Sequence, residues 1–318
     1  MQQRAFGRLG PVSSLTLGGG GLGQLWGSTT REECIATTLE AVESGINLLD
    51  LAPVYGNGEA EIVIGQAFNG KIPKDVRITT KCNLVDKPKE SIYEILEESL
   101  IDSLNRMQVP SVDIFFLHNW IINDFESEYL RGTKRNVFEE YVVPAFEKIV
   151  TQGLSKAWGI TGIGDPRILI ELLDSGCKPD FIQIVTNLLD SPGGLTFPNV
   201  DPRPREIILA AQRAGVPIMG IRAVQAGALT SKIDRDLPSD HPESLDFAKA
   251  EGFRRLAQNL GMAPAFLAHQ YALSMKGPAT VVLGVKNREE LRECILAERS
   301  GVLDEGITEQ IHAAISGI

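Results

Sequence analysis

Four residues with proton-exchanging or charged side chains stand at or just after the ends of short apolar runs. Asp50 and Tyr55 lie in LLDLAPVYG, Lys81 ends the apolar run of ITTKCN, and His118 ends that of FFLHN. An unpaired charge beside a buried strand is costly. We therefore predict that the Asp50 carboxylate and the Lys81 ammonium lie close together and pair.

These residue types together suggest proton transfer. An ammonium beside a phenol stabilises the phenolate, so we expect Lys81 to lower the pKa of Tyr55 below its ordinary value of about 10. A lower pKa would suit a proton donor that works near neutral pH. Asp50 would keep Lys81 charged and oriented, and His118 would either position a carbonyl oxygen by a hydrogen bond or relay a proton.

Taken singly, each residue also has a structural interpretation. An aspartate at a strand end often caps a helix or loop, a histidine there is often a hydrogen-bonded structural residue, and a tyrosine before glycine often packs a turn. Their occurrence at three successive predicted strand ends favours one shared site.

The elements that must position these groups alternate between apolar runs and helical segments. Continuous apolar runs are typical of parallel strands buried on both faces. Eight strands are predicted, at 14–17, 47–51, 76–81, 112–118, 156–161, 181–186, 217–221 and 280–285. Helical periodicity and end signals predict helices at 30–44, 59–68, 89–105, 137–152, 166–175, 204–214 and 288–299.

This alternation predicts an α/β fold of the (β/α)8 TIM-barrel type, as a single domain over 1–318. A small hairpin is expected within residues 1–12, and an extra C-terminal helix over 305–316. Long connections at 119–136 and 223–247 follow the fourth and seventh strands. Catalytic groups of such barrels come from the carboxyl ends of the strands, where the four residues stand.

Composition excludes several classes of function. The net charge is −10 with no basic stripe, which argues against a nucleic-acid partner. No stretch approaches the roughly 18 apolar residues of a membrane span, and the N-terminus lacks a signal-peptide run, so we expect a cytoplasmic protein. Its four cysteines are scattered without a CxxC or Cys/His cluster, which predicts neither a disulfide framework nor a metal site. The oligomeric state is not readable from the sequence.

The segments LLDLAPVYGNGEAEIVIGQAF, ITTKCN, FLHN and VVLGVKNREELREC together resemble the aldo-keto reductase family, in the family's order and over nearly the whole chain. The family's Asp-Tyr-Lys-His tetrad corresponds to Asp50, Tyr55, Lys81 and His118. The resemblance implies an NAD(P)H-dependent oxidoreductase that reduces an aldehyde or ketone, or oxidises an alcohol or lactol. It implies hydride transfer from nicotinamide C4 with Tyr55 as the general acid.

The resemblance also implies that NADP(H) or NAD(H) binds without a Rossmann domain. Thr161 and Gln183 are expected at the nicotinamide carboxamide, and Arg222, Gly227 and Leu229 at the pyrophosphate. The segment 284–287 precedes a helix whose N-terminus could receive phosphate. The remaining cofactor-binding candidates of this segment and its helix are Gly284, Lys286, Asn287, Glu290 and Cys294. Lys286 or Arg288 could face a 2′-phosphate, with a solvated helix start as the alternative for each.

Several positions depart from the family pattern. Thr161-Gly162 stands where many members have Ser-Asn, and Leu51 follows Asp50 where many have threonine. Glu290 stands where others carry Arg or Gln, and this acid would repel a 2′-phosphate or accept a hydrogen bond from a ribose hydroxyl. Cys294 stands where asparagine is common.

The glycine run GGGGLG at 18–23 satisfies GxGxxG, but QLWGSTT separates it from the next helical pattern. We interpret Gly20 and Gly21 as part of a loop that lets the backbone approach the nicotinamide, with a flexible turn as the alternative. Trp26 and Trp120 are predicted to line the substrate pocket or to cover the barrel rim.

Two other functions fit parts of the pattern. One is a regulatory barrel subunit that binds the cofactor with little turnover, a role that some family members resemble. The other is a phosphate-dependent barrel isomerase or lyase, because glycine-rich loops late in a barrel also bind phosphorylated substrates.

Overall fold

The computed structural model describes residues 1–85, 87–125 and 132–316. Its strands are β1 (Gln3–Ala5), β2 (Pro11–Ser13), β3 (Leu15–Gly18), β4 (Leu48–Asp50), β5 (Arg77–Cys82), β6 (Ile114–Leu117), β7 (Ile121–Ile122), β8 (Thr133–Lys134), β9 (Trp158–Thr161), β10 (Phe181–Val185), β11 (Ile218–Ile221) and β12 (Thr280–Leu283). Strands β3, β4, β5, β6, β9, β10, β11 and β12 pair in that order, all parallel, and β12 closes onto β3. The predicted barrel is confirmed, because each predicted strand overlaps one of these eight.

Helices surround the barrel. They are α1 (Gly19–Leu22), α2 (Arg31–Glu43), α3 (Glu59–Phe68), α4 (Ile92–Met107), α5 (Arg135–Val137), α6 (Val143–Thr151), α7 (Pro166–Leu173), α8 (Pro204–Ala214), α9 (Pro242–Lys249), α10 (Glu251–Asn259), α11 (Pro264–Ser274), α12 (Arg288–Arg299) and α13 (Glu305–Ser316). A π-helical turn, Phe138–Val142, joins α5 to α6. In the described part of the chain, no helix has both the length and the apolar character needed to cross a membrane.

The predicted N-terminal hairpin is present and closes one end of the barrel. Strands β1 and β2 pair antiparallel, and the Phe6 ring that follows β1 lies 4.6 Å from the ring of Phe181. Both rings belong to a buried cluster with Leu48, Phe116 and Met219. Because Phe181, Leu48 and Met219 stand early in their strands, this cluster fills the amino end and leaves the carboxyl ends of the strands for the site.

The connections after the strands differ from expectation in three places. Within the predicted connection 119–136, β7 pairs with β8, and residues 126–131 lie outside the described residues. The predicted connection 223–247 ends in α9, and α10 and α11 follow it before β12, where no helix was predicted. The glycine run forms the one-turn helix α1 rather than a loop or a flexible turn, because a Gly23 N–H to Gly19 O bond of 2.7 Å closes it.

Candidate active site

The Lys81 ammonium is the centre of the site. It is fully buried, and its three N–H groups have three acceptors: Asp50 Oδ2 at 2.9 Å, Leu51 O at 2.7 Å and the Tyr55 hydroxyl at 3.2 Å. An ammonium has three donors, so all of them are used here. Because the Tyr55 oxygen accepts from Lys81, the phenol's own proton is left to point elsewhere and can be donated.

Asp50 is held by neutral partners as well as by Lys81. Its Oδ1 accepts from Thr79 Oγ1 at 2.6 Å and from Gln183 Nε2 at 2.8 Å. Thr79 stands two residues before Lys81 on β5, so both side chains point to the same face of the sheet. Sequence reasoning missed Thr79, although this spacing of two could have found it. Gln183, predicted at the nicotinamide carboxamide, bonds to the tetrad itself.

Charge and burial act together on the pKa values of Lys81 and Tyr55. Burial by itself lowers the pKa of Lys81, but Asp50 and Tyr55 outweigh it, so the pKa lies above its ordinary value and the ammonium stays charged. Burial raises the pKa of Tyr55, and Lys81 only partly opposes this shift. The expected lowering of the Tyr55 pKa was therefore wrong, because loss of hydration of the phenolate exceeds the attraction of one ammonium. Tyr55 keeps its proton at neutral pH.

His118 completes the cluster from β6. Its ring meets the Tyr55 ring edge-on, with 5.8 Å between centroids and 86° between planes. Burial and the Lys81 ammonium lower the pKa of His118 to about 3. The imidazole is thus neutral and able to donate one hydrogen bond. The structure therefore brings all four predicted tetrad residues together at the carboxyl ends of β4, β5 and β6.

The comparisons with known proteins agree with this geometry. A family model described as the aldo/keto reductase family matches residues 14–315. The chain belongs to this family. Its members are NAD(P)H-dependent oxidoreductases that act on small molecules, and the chain is therefore an oxidoreductase of this type.

Relatives cover nearly the whole of this aldo/keto reductase. L-galactose dehydrogenase of Arabidopsis thaliana is 25% identical over 97% of the chain and 93% of its own length. NADH-specific methylglyoxal reductase of Escherichia coli (strain K12) is 27% identical over 68% of the chain and 64% of its own length. Their names are those of enzymes, which supports an enzymatic function over that of a regulatory subunit with little turnover.

Solved structures share the fold. The holo form of aldo-keto reductase AKR11C1 from Bacillus halodurans has a TM-score of 0.73 and 22% identity, with 99% of this chain and 96% of that chain covered. An aldo/keto reductase from Klebsiella pneumoniae in complex with NADP and acetate has a TM-score of 0.72 and 19% identity, with 98% and 95% covered.

In this aldo/keto reductase, Trp26 lies among residues predicted for the cofactor rather than beside Trp120. A Cβ on Gly20 would lie 2.5 Å from Trp26 Nε1, and one on Gly284 would lie 3.3 Å from it. The Arg235 guanidinium covers the indole at 4.9 Å. Trp120, by contrast, meets the Phe197 ring edge-on at 5.4 Å between centroids. The two tryptophans therefore lie in different surroundings.

A set of ion pairs joins the loop after β11 to the loop after β12. Glu243 accepts from Arg222 at 2.8 Å and from Arg235 at 3.2 Å. Asp234 lies 3.4 Å from the Lys286 ammonium, which also pairs with Glu290. Sequence reasoning named Arg222, Lys286 and Glu290 but missed the acids Asp234 and Glu243, which lie in the polar segment that was read as a connection.

The other cofactor candidates have structural roles in this conformation. Asn287 caps α12 by accepting from Glu290 N at 2.9 Å, and Leu229 is fully buried. Gly227 has a positive φ of 95° in the turn before Leu229. Cys294 is buried with its sulfur 3.6 Å from His269 Nε2. Their predicted contacts with a cofactor remain predictions.

The carboxamide region departs from the family pattern in a way that the backbone explains. Thr161 Oγ1 donates to Leu117 O at 3.2 Å, within the barrel wall. A Cβ on Gly162 would lie 2.7 Å from Gln183 O, and Gly162 N already donates to that oxygen at 2.6 Å. The glycine therefore brings β9 and β10 closer than a side chain at 162 would permit.

Proposed function

We propose that this enzyme reduces the carbonyl group of a small aldehyde or ketone to an alcohol, or catalyses the reverse oxidation, with Tyr55 as the proton donor or acceptor. The observation that carries the proposal is the contact of one buried ammonium, Lys81, with both the Tyr55 hydroxyl and the Asp50 carboxylate. If the Lys81 ammonium did not contact the Tyr55 hydroxyl, there would be no reason to assign proton transfer to Tyr55.

Each residue has a distinct task. Tyr55 gives its proton to the carbonyl oxygen, and Lys81 stabilises the phenolate that remains. Asp50 keeps Lys81 charged at its fixed place. His118, as a neutral imidazole, donates a hydrogen bond to the same carbonyl oxygen and so orients it, which favours the positioning role over a relay through an imidazolium.

A reduced nicotinamide supplies the hydride when bound. The loops after β11 and β12 supply cations for the phosphates of such a cofactor, because Arg222, Arg235 and Lys286 lie there, each beside a carboxylate. Gly20 and Gly284 both lie against the Trp26 indole, so neither residue places a side chain of its own between the backbone and that ring. In the described residues, no group of three or more His, Cys, Asp or Glu side chains could hold a metal ion.

We also propose that the enzyme works in the cytoplasm. Support comes from its cysteines, because Cys34, Cys82, Cys177 and Cys294 are all free thiols. Proteins of oxidising compartments more often pair theirs as disulfides.

The test of the function is Tyr55→Phe, with Tyr93→Phe as the matched control. Tyr93 lies on α4 with its hydroxyl bonded to Glu97, outside the barrel. We expect Tyr55→Phe to lower kcat by about 100-fold or more on a reactive aldehyde, while the affinity for reduced nicotinamide stays near that of the wild type. Wild-type turnover by Tyr55→Phe would contradict the role of Tyr55 as proton donor. Loss of turnover in Tyr93→Phe would show that the assay responds to loss of folded protein rather than to the site.

A further inference from the structure

A second buried carboxylate lies close to the tetrad but takes no part in it. Glu61, in the first turn of α3, is fully buried. Its Oε1 accepts from Thr80 Oγ1 at 2.6 Å, and its Oε2 accepts from Arg106 Nε at 2.6 Å. A buried charge is tolerated only where partners satisfy it, so these two contacts fix where α3 begins.

Strand β5 connects Glu61 to the catalytic ammonium. Successive side chains of a strand point to opposite faces. Thr79 and Lys81 therefore point toward Asp50, while Thr80 between them points outward to Glu61. Glu61 is thus hydrogen-bonded to the residue that immediately precedes Lys81.

The same N-terminal end of α3 also connects Glu61 to Tyr55. Ala60 N donates to Tyr55 O at 3.2 Å, and Gly58 N donates to Pro53 O at 2.7 Å, so the turn that carries Tyr55 is bonded to the first turn of the helix. Glu61 directly follows Ala60. The contacts therefore form a closed ring from Tyr55 through Ala60, Glu61 and the β5 residues Thr80 and Lys81 back to the Tyr55 hydroxyl.

Arg106 of α4 holds this ring from outside. Its side chain lies across Gly58, where a Cβ would approach Arg106 Cδ to 2.7 Å, and Gly58 has a φ of +89°. A glycine at this position both makes the turn and leaves room for the guanidinium. The ion pair of Glu61 with Arg106 therefore holds the first turn of α3, and with it the Tyr55 turn, beside β5.

We propose that Glu61 is a positioning residue for the proton transfer, which sets the contact between the Tyr55 hydroxyl and the Lys81 ammonium by fixing α3 to Thr80 and Arg106. The inference rests on the proposed role of Tyr55 as the proton donor. Glu61 contacts neither the tetrad side chains nor, on this proposal, the substrate.

The primary test is Glu61→Gln, which keeps the shape and removes the charge. We expect kcat to fall by about tenfold, since small displacements of reacting groups have large effects on rate, while the Kd of reduced nicotinamide is unchanged. The matched control is Glu59→Gln. Glu59 lies in the same first turn but pairs with Arg31 at the surface, so its kcat is expected to equal that of the wild type.

The pH profile separates positioning from mere loss of stability. Tyr55 must be protonated to donate, so kcat for reduction falls as pH rises through the pKa of Tyr55. The groups that face Tyr55 are Lys81, Asp50, Arg222 and His118, of which Lys81 lowers that pKa most. A looser contact with Lys81 raises the pKa, so the alkaline limb of Glu61→Gln should move upward by about one pH unit.

A milder variant keeps the test valid if Glu61→Gln does not fold. Thr80→Val removes one hydrogen bond and leaves the ion pair with Arg106, and we expect a several-fold lower kcat with the same upward shift of the limb. A folded Glu61→Gln and Thr80→Val with wild-type kcat and an unmoved alkaline limb would overturn the inference. Because Tyr55→Phe tests the proposed function separately, a loss of turnover there with no effect here would leave the function standing and remove only the role of Glu61.

Discussion

At the scale of single residues, burial and charge act in opposite directions on the tetrad. Burial keeps the Tyr55 phenol protonated and the His118 imidazole neutral, while Asp50 keeps Lys81 charged. The site therefore holds a protonated acid beside an ammonium that stabilises its conjugate base. This arrangement suits reduction, in which the proton must be present before the carbonyl reacts.

The neutral state of His118 should be measurable as a pH-dependent stability. Its pKa in the folded protein is about 3, below its ordinary value of 6.5, so the unfolded chain binds the proton more tightly. The unfolding free energy is therefore unaffected by protonation of His118 above pH 6.5, and it decreases as pH falls from 6.5 toward 3, because protonation then favours the unfolded chain. Between pH 7 and 4.5 we expect the wild type to lose about 2.5 kcal/mol more unfolding free energy than His118→Asn.

Urea denaturation of both proteins at the two pH values measures this difference. His269, whose pKa is also lowered by burial, is present in both and cancels in the comparison. Parallel losses of stability in the two proteins would show that His118 is not held neutral by its site.

Cofactor preference is also a matter of single charges. Both cations predicted for a 2′-phosphate already have acidic partners, since Lys286 pairs with Glu290, and Arg288 makes paired contacts with Glu33. Glu290→Gln removes a repulsive charge and one of the two acidic partners of Lys286, leaving its pair with Asp234. We expect the ratio of NADPH to NADH affinity to rise by about fivefold, measured as Kd from quenching of intrinsic fluorescence. Glu289→Gln, an exposed neighbour on α12, serves as the control, and an equal change in both variants would contradict the assignment.

At the scale of elements, α1 lies against the loop after β12 with no space for a side chain. A Cβ on Gly21 would lie 1.9 Å from Val285 O and 2.9 Å from Lys286 N. Since both are backbone atoms, Gly21→Ala must move one of the two segments. We expect a loss of about 1–3 kcal/mol of unfolding free energy and weaker binding of reduced nicotinamide. Gly176→Ala, which meets no atom within 4 Å, should stay within about 0.5 kcal/mol of the wild type. Equal stability of the two variants would contradict this account.

The barrel strands and the tetrad were predictable because they depend on local signals. Apolar runs indicate buried strands. Because the carboxyl ends of barrel strands meet at one face, Asp50, Lys81 and His118 could be assigned to one site before any distance was known. The α1 turn was not predictable, since four consecutive glycines disfavour a helix and one leucine does not offset them, so that packing decides the conformation. Strands β7 and β8 are two residues each, too short for a periodic pattern.

At the scale of the whole molecule, α11 shows why one of the helices after β11 was missed. Seven consecutive residues of α11, from Leu267 to Leu273, are buried. A helix that is buried all round shows no amphipathic stripe, and such a stripe was one of the two kinds of signal, with helix-end residues, used for the other helices. The helix is covered because α10 and α13 pack outside the barrel, where a Cβ on Gly252 would lie 2.1 Å from Ala314 O.

The outer layer of α10, α11 and α13 forms its own apolar cluster, which reaches the barrel through Leu229. Ile311 of α13 is fully buried there with Phe253 and Leu267, and the Tyr271 hydroxyl bonds to His312 Nε2 at 2.9 Å. Ile311→Ala leaves a cavity and should cost about 2–5 kcal/mol. Leu296→Ala, at an exposed position of α12, should change stability by no more than about 0.5 kcal/mol.

Turnover should respond differently from stability in Ile311→Ala. None of the tetrad residues belongs to this cluster, so kcat at saturating cofactor should match the wild type at temperatures where the variant is folded. Leu229, in the loop predicted for the pyrophosphate, does belong to it, so the Kd of reduced nicotinamide should rise. Thermal denaturation, cofactor titration and kcat, measured on one preparation, distinguish an effect on stability, on cofactor binding and on turnover. A fall in kcat with an unchanged Kd would mean that α13 supports the tetrad rather than the loop after β11, and the outer layer would then have to be assigned to catalysis instead of cofactor binding.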